Sequence, residues 1–269
     1  MGQSCFKRGF GWATAVALFG LAIVTNASLS GDGSTGPPKA IRPGATFSEI
    51  IFQPVLDFDK DGCYNVPAID VNGNIDKGLN EAASNWAKDC RDASDLDNSQ
   101  VYSRGRCNHG WCVIIFDYYF EKDGAITGHR YDWEHIAVWI TNYKPAYVSV
   151  SQHGKWLTKI AADVRFEGLS PKIVYHKDGA GTHNFRFATA GDEPPENHRG
   201  KWIKGSLLSY GGWPNNGLRD KLMNWGSFKP ANIAIKDGSF QTSIMNTKPQ
   251  HITFDPNVHD PSILHLWTG

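Results

Sequence analysis

The run CVIIFDYYF, Cys112 to Phe120, constrains this chain more than any other stretch. Seven of its nine residues are β-branched or aromatic, the types that fit a pleated, well-covered surface. Similar segments follow: HIAVWI (135–140), AYVSVS (146–151), KIVYH (172–176) and HNFRFAT (183–189), separated by Gly, Pro, Asn and Asp turns. In the last of these, His183, Phe185 and Phe187 share one strand face, and Asn184 and Arg186 the other. Helical spacing is short-range. Leu79, Ala82, Ala83, Trp86 and Cys90 predict a helix over 78–90, and residues 220–225 suggest another. Residues 46–56 read as either a helix or an extended start. The sequence shows no internal repeat and no second domain boundary. It predicts a mainly β fold over 46–269, a two-sheet antiparallel β-sandwich with peripheral helices. At 269 residues, one all-β domain accommodates the chain.

The amino terminus reads as an address. Lys7 and Arg8 precede an uncharged, mostly apolar run, Gly9 to Val24, which ends in TNAS with Ala27 as the cleavage position. This is the pattern of a secretory signal peptide over 1–27, too short and too glycine-broken for a membrane span. Residues 28–45, rich in Gly and Pro, predict a flexible lead-in. Removing Lys7 and Arg8 leaves 25 basic against 27 acidic residues. That balance argues against a nucleic-acid binder. The expected product is a soluble, secreted, extracellular protein.

Cysteine usage agrees with an oxidising compartment. Without Cys5 the mature chain holds four: Cys63, Cys90, Cys107 and Cys112. Two disulfides are the expected use, and four cysteines allow three pairings. CNHGWC, Cys107 to Cys112, is a turn-like loop that could close on itself, which would leave Cys63 with Cys90. The rival, a zinc site, lacks a second C-x4-C pair.

Between the two strongest strands lies EKDGAITGHRYDWEH, with Asp123, His129, Asp132, Glu134 and His135. Burying charge is costly unless it is paired or bound to a metal. If 132–140 is extended, Asp132 and Glu134 continue the face of Ile136, Val138 and Ile140, at the mouth of the core. Trp133, His135, Ala137 and Trp139 point the other way. Two like charges so placed invite a divalent cation: Mg²⁺ or Ca²⁺ for oxygen donors, Mn²⁺ or Zn²⁺ if histidine weighs more. The candidate metal donors are Asp123, His129, Asp132 and Glu134, with His153 and His183 as groups standing behind them. The competing reading is a solvated loop with Arg130 neutralising one acid.

A second acidic segment, DFDKDG, imitates the start of a calcium loop through Asp57, Asp59 and Asp61. Its twelfth position is Ala68 where a bidentate Glu is required, so a true EF-hand fails. A structural Ca²⁺ competes here with a solvated turn. No G-x-S-x-G motif supports a nucleophilic triad. Adjacent acids and histidines keep a metal-dependent hydrolase of phosphodiester or glycosidic bonds as the rival function.

GHRYDWEH, Gly128 to His135, resembles the G-H-R-H-D-W-E heptapeptide of the necrosis- and ethylene-inducing-peptide-like proteins, secreted toxins of fungi, oomycetes and bacteria. DGCYNVPAID (61–70), LDNSQVYSRGRCNHGWC (96–112) and VIIFDYYFEKD (113–123) extend the resemblance, which covers the chain from about Phe52 onward. It implies a β-sandwich holding Mg²⁺ or Ca²⁺ in an acidic cavity. It also implies cytolysis of plant membranes, rather than turnover of a substrate, through the headgroup of glycosyl inositol phosphoryl ceramide sphingolipids. Carried over by position, Asp123, His129, Asp132 and Glu134 match the cavity residues, and His153 and His183 match further histidines. Cys63 and Cys90 match the family's general disulfide. Cys107 and Cys112, with DFDKDG, resemble a subclass with a second disulfide and a calcium-binding segment. Tyr131 stands where the heptapeptide has its second histidine, and the 123–129 loop is short. Because some members are not cytotoxic, a non-lytic secreted protein is the second rival. Trp213, in YGGWPNNG, reads as turn packing ahead of membrane contact.

Overall fold

The computed structural model describes residues 1–2, 36–80, 85–179, 181–229, 231–260 and 262. The signal peptide expected over 1–27 lies outside these, apart from Met1 and Gly2. All elements below belong to the compact unit formed by residues 36–269.

The order is α1 (Phe47–Phe52), β1 (Val55–Phe58), α2 (Ala93–Asp97), β2 (Gln100–Asn108), β3 (Trp111–Asp123), β4 (His129–Thr141), β5 (Lys144–Gln152), β6 (Lys155–Ile160), β7 (Phe166–Glu167), β8 (Ser170–Lys177), β9 (His183–Phe187), β10 (Ser206–Ser209), α3 (Asn216–Met223) and α4 (Phe240–Thr247). One sheet runs β10-β2-β3-β4-β5-β6. The other joins β1, β7 and β9 to β8. The expected sandwich is present, but its sheets are mixed. β1 lies parallel to β8, and β10 parallel to β2.

The composition of β3 explains the layering. Ile114, Phe116, Tyr118 and Phe120 enter the core between the sheets, where they meet Leu56, Phe58, Ile173, Tyr175 and Phe185. Val113, Ile115 and Tyr119 enter a second core under α3 and α4, with Leu218, Leu222, Phe240 and Ile244. A strand covered on both faces takes apolar residues on both, which is why this run shows no alternation, the buried Asp117 excepted. β4 does the same with Ile136, Val138 and Ile140 on one side and Trp133, Ala137 and Trp139 on the other. Trp213 packs into the second core, stacked on Tyr102 with ring centroids 5.8 Å apart, so turn packing is its role here.

The ambiguous 46–56 segment is both things in turn, α1 and then β1. The Thr46 hydroxyl and the Glu49 carboxylate cap α1 reciprocally, at 3.3 and 3.0 Å. The helix expected over 78–90 is not observed. Residues 81–84 lie outside the described residues, and the described remainder is extended or turn. There the Leu79 N–H donates to the Glu121 carbonyl at 2.9 Å, so the segment rides on β3. Both disulfides close, Cys63–Cys90 and Cys107–Cys112. No described helix is long and apolar enough to cross a membrane.

Candidate functional site

β3 and β4 pair antiparallel in a register that sets Phe120 opposite Asp132, Tyr118 opposite Glu134 and Asp123 opposite His129. The connecting loop is tight because of Gly128, where a Cβ would stand 2.2 Å from the Asp123 carbonyl oxygen. β4 and β5 remain paired only as far as Ile136 and Val150. Beyond that point the His135 N–H turns to the Ser151 hydroxyl at 2.6 Å. The parting of these two strands opens a cavity of about 570 Å³, lined among others by Asp123, His129, Asp132, Glu134, His153 and His183. All six residues singled out in the sequence therefore reach one cleft.

The three carboxylates are buried, with 1, 5 and 8% of Asp123, Asp132 and Glu134 exposed. Each has its own donor. His183 donates to Asp123 through its backbone N–H, at 3.0 and 3.1 Å, and through Nδ1 at 2.8 Å. The Tyr175 hydroxyl donates to Asp132 at 3.0 Å, and the Ser151 hydroxyl donates to Glu134. Burial, with repulsion from Asp123, pushes the Asp132 carboxyl up to about 6, against the opposing pull of His129 and Tyr175. Burial and then Asp132 push Glu134 well above the usual carboxylate range. His129 Nδ1 is tied to the Tyr131 carbonyl at 2.8 Å, which leaves Nε2 as its other nitrogen.

The donor set, three carboxylates and an imidazole, has the chemistry of a hard divalent cation site. Among the described residues, no three His, Cys, Asp or Glu side chains stand close enough to hold an ion by themselves. The residues fit such an ion in donor type and in excess buried negative charge, with water completing the shell.

His183 is 2% exposed, and its Nε2 faces Asp61 at 3.4 Å. It links the cleft to DFDKDG. That segment does not gather its acids. Asp57 accepts from the Glu196 N–H at 3.0 Å and from Asn197 at 3.1 Å. Asp59 lies 3.6 Å from Arg186, and Asp61 takes Lys177 at 2.7 Å. The three acids have separate partners, where a calcium loop would turn them to one centre.

Tyr131 points away from the carboxylates, as strand parity requires. Its ring meets Phe228 edge-on at 5.3 Å and lies over Gly78. Ser151 and Tyr175 escaped notice in the sequence. Parity carried a signal for Tyr175, which shares the inward face of Ile173. The wall contributed by 231–246 gave none.

The family model of the necrosis inducing proteins (NPP1) matches residues 47–247. NLP effector protein 10 of Phytophthora capsici is 31% identical over 205 residues, covering 73% of this chain and 81% of its own length. Necrosis-inducing protein NPP1 of Phytophthora nicotianae is 30% identical over 218 residues, covering 76% and 85%. The solved structure of NLPPya in complex with glucosamine is similar with a TM-score of 0.65 at 26% identity, over 79% of this chain and 97% of that one. Its mannosamine complex gives 0.65 at 27%, with the same coverage. A structure described as a toxin fold for microbial attack and plant defense gives 0.66 at 28%, covering 80% and 97%. With the match spanning α1 to α4 and the heptapeptide-like segment lining the cleft, this chain belongs to the necrosis-inducing protein family of toxins.

Proposed function

We propose that the protein is a secreted cytolysin that grips a sugar headgroup of the plant plasma membrane through a cation-dependent cleft. The observation that carries this reading is the burial of Asp123, Asp132 and Glu134 together in one cavity, with hydrogen bonds from His183, Tyr175 and Ser151. Asp123, Asp132, Glu134 and His129 would hold Mg²⁺ or Ca²⁺. Such an ion supplies Lewis-acid contacts to sugar hydroxyls, which suit a hard cation with water-filled positions. The chain's own part is positional. Tyr175, Ser151 and His183 fix the carboxylates, the Tyr131 carbonyl sets the His129 tautomer, and the parted strands leave an entrance. The amino-sugar complexes of NLPPya support a glycan ligand. For this chain the headgroup is that of glycosyl inositol phosphoryl ceramide, and the outcome is peripheral binding and membrane damage without turnover.

Asp132→Asn tests the cation directly, because it removes charge with little change of volume. Calorimetry should show Mg²⁺ and Ca²⁺ affinity reduced at least tenfold while the melting curve is kept. Unchanged affinity for both ions would remove the assignment.

A further inference from the structure

The cleft does not end at the carboxylates. Where β4 and β5 part, the cavity passes to the helical side of the six-stranded sheet, and its wall changes character. Among the described residues its acidic lining groups are Asp123, Asp132 and Glu134, and Asp132 and Glu134 share the face of Ile136, on the other side of the sheet. Here the wall is built from Trp156 and His135, with ring centroids 5.8 Å apart, from the amides and hydroxyls of Asn232, Ser239, Thr242 and Asn246, and from the exposed Lys155 beside the indole.

These groups are held in place from behind. His135 Nδ1 bonds Asp117 at 2.9 Å, and Asp117 is in turn fixed by the Ile235 N–H at 3.0 Å. With Nδ1 engaged, Nε2 is the ring's other nitrogen. The Asn232 amide donates to Ser239 at 3.2 Å, which orients one edge of the wall. A partly exposed indole beside amides, hydroxyls and one exposed ammonium suits a pyranose ring. The apolar face of the ring packs on the indole while its hydroxyls exchange bonds with the amides. Space permits this. A cation with four waters takes roughly 120 Å³ at about 30 Å³ per water, so most of the cavity of about 570 Å³ is left for ligand.

We propose that this half of the cleft is a second sugar subsite. It takes an uncharged hexose unit attached to the sugar gripped at the carboxylates, with Trp156 as the stacking surface and Asn232 and Asn246 as the polar edge. This rests on reading the carboxylate half as a sugar-gripping cation site, and it makes the toxin selective for headgroups longer than one sugar.

The test is calorimetry in saturating Mg²⁺, and again in Ca²⁺, with two probes: glucosamine and a disaccharide of glucosamine and a neutral hexose. Wild type should bind the disaccharide about tenfold more tightly. Trp156→Ala should collapse that ratio to about one. So should Asn246→Ala, a change at an exposed position of α4 that leaves the core intact. Equal wild-type affinity for the two sugars would overturn the subsite and leave the cation site standing. A disaccharide preference that survives both substitutions would also overturn it. Binding of neither sugar by wild type would overturn the subsite together with the reading it rests on.

Discussion

At the residue scale, Tyr131 separates what a side chain does from what its backbone does. Its carbonyl orients His129, while its ring serves the second core beside Phe228 and Tyr119. It also sits at φ 62°, a left-handed conformation that histidine adopts more readily than tyrosine. Tyr131→His should therefore leave cation affinity within about threefold. It should lower stability by about 1–2 kcal/mol through lost ring contacts. Calorimetry and urea melts would check both, and a tenfold fall in affinity with the fold intact would contradict the assignment. Asp192 makes a second prediction, away from the cleft. The Arg186 guanidinium grips it twice, at 2.6 and 2.9 Å, and holds its carboxyl down at about 2. Because the folded carboxyl is the stronger acid, the unfolded chain binds more protons between about pH 4 and 2. The pair stabilises fully above that window and its contribution is lost as pH falls through it. After allowance for solvent screening, it contributes on the order of 1–2 kcal/mol. Asp192→Asn should show a melting-temperature deficit that is constant above about pH 4 and closes towards pH 2. A deficit independent of pH would show that the charge plays no part.

At the element scale, loop length ranks the disulfides. Cys63–Cys90 spans 27 positions and Cys107–Cys112 spans five. In the chain-entropy picture these are worth about 3.5 and 2 kcal/mol. Replacing Cys107 and Cys112 by Ser should lower the melting temperature less than replacing Cys63 and Cys90. Equal losses would contradict the ranking. The strands that carry the site were legible because their burial leaves a simple mark. β3 is apolar on both faces from Cys112 to Phe120 save for Asp117, and in β4 the alternation places Asp132 and Glu134 with Ile136. The helical spacing read over 78–90 misled, because Leu79 and Trp86 belong to a chain segment laid against β3 and its end. The Leu79 N–H is bonded to the Glu121 carbonyl there, and the Trp86 backbone passes so close to Gly124 that a Cβ on it would stand 2.3 Å from the Trp86 carbonyl oxygen. The parallel pairs were hidden for another reason. Val55 meets Lys172, and Ser206 meets Gln100, across more than a hundred residues, and no local pattern reports such a partner. DFDKDG showed its acids but not the Lys177 and Arg186 that meet two of them.

At the scale of the whole molecule, the six-stranded sheet is covered on both faces, and the cleft opens where that sheet splits between β4 and β5. A charged site can sit beside two apolar cores because the carboxylates occupy the end of the sheet, where the ladder stops. The same position puts the cavity within reach of both faces. The central claim is that this cleft joins cation and lipid sugar in a single event. The measurement is binding to vesicles with and without glycosyl inositol phosphoryl ceramide, in Mg²⁺ or in chelator, for wild type and Glu134→Ala. Wild type should bind only the vesicles that carry the lipid, and only with the cation present. Glu134→Ala should bind neither kind while keeping the wild-type far-ultraviolet spectrum. Wild-type binding that ignores both lipid and chelator, or release of a cleaved headgroup, would contradict the claim.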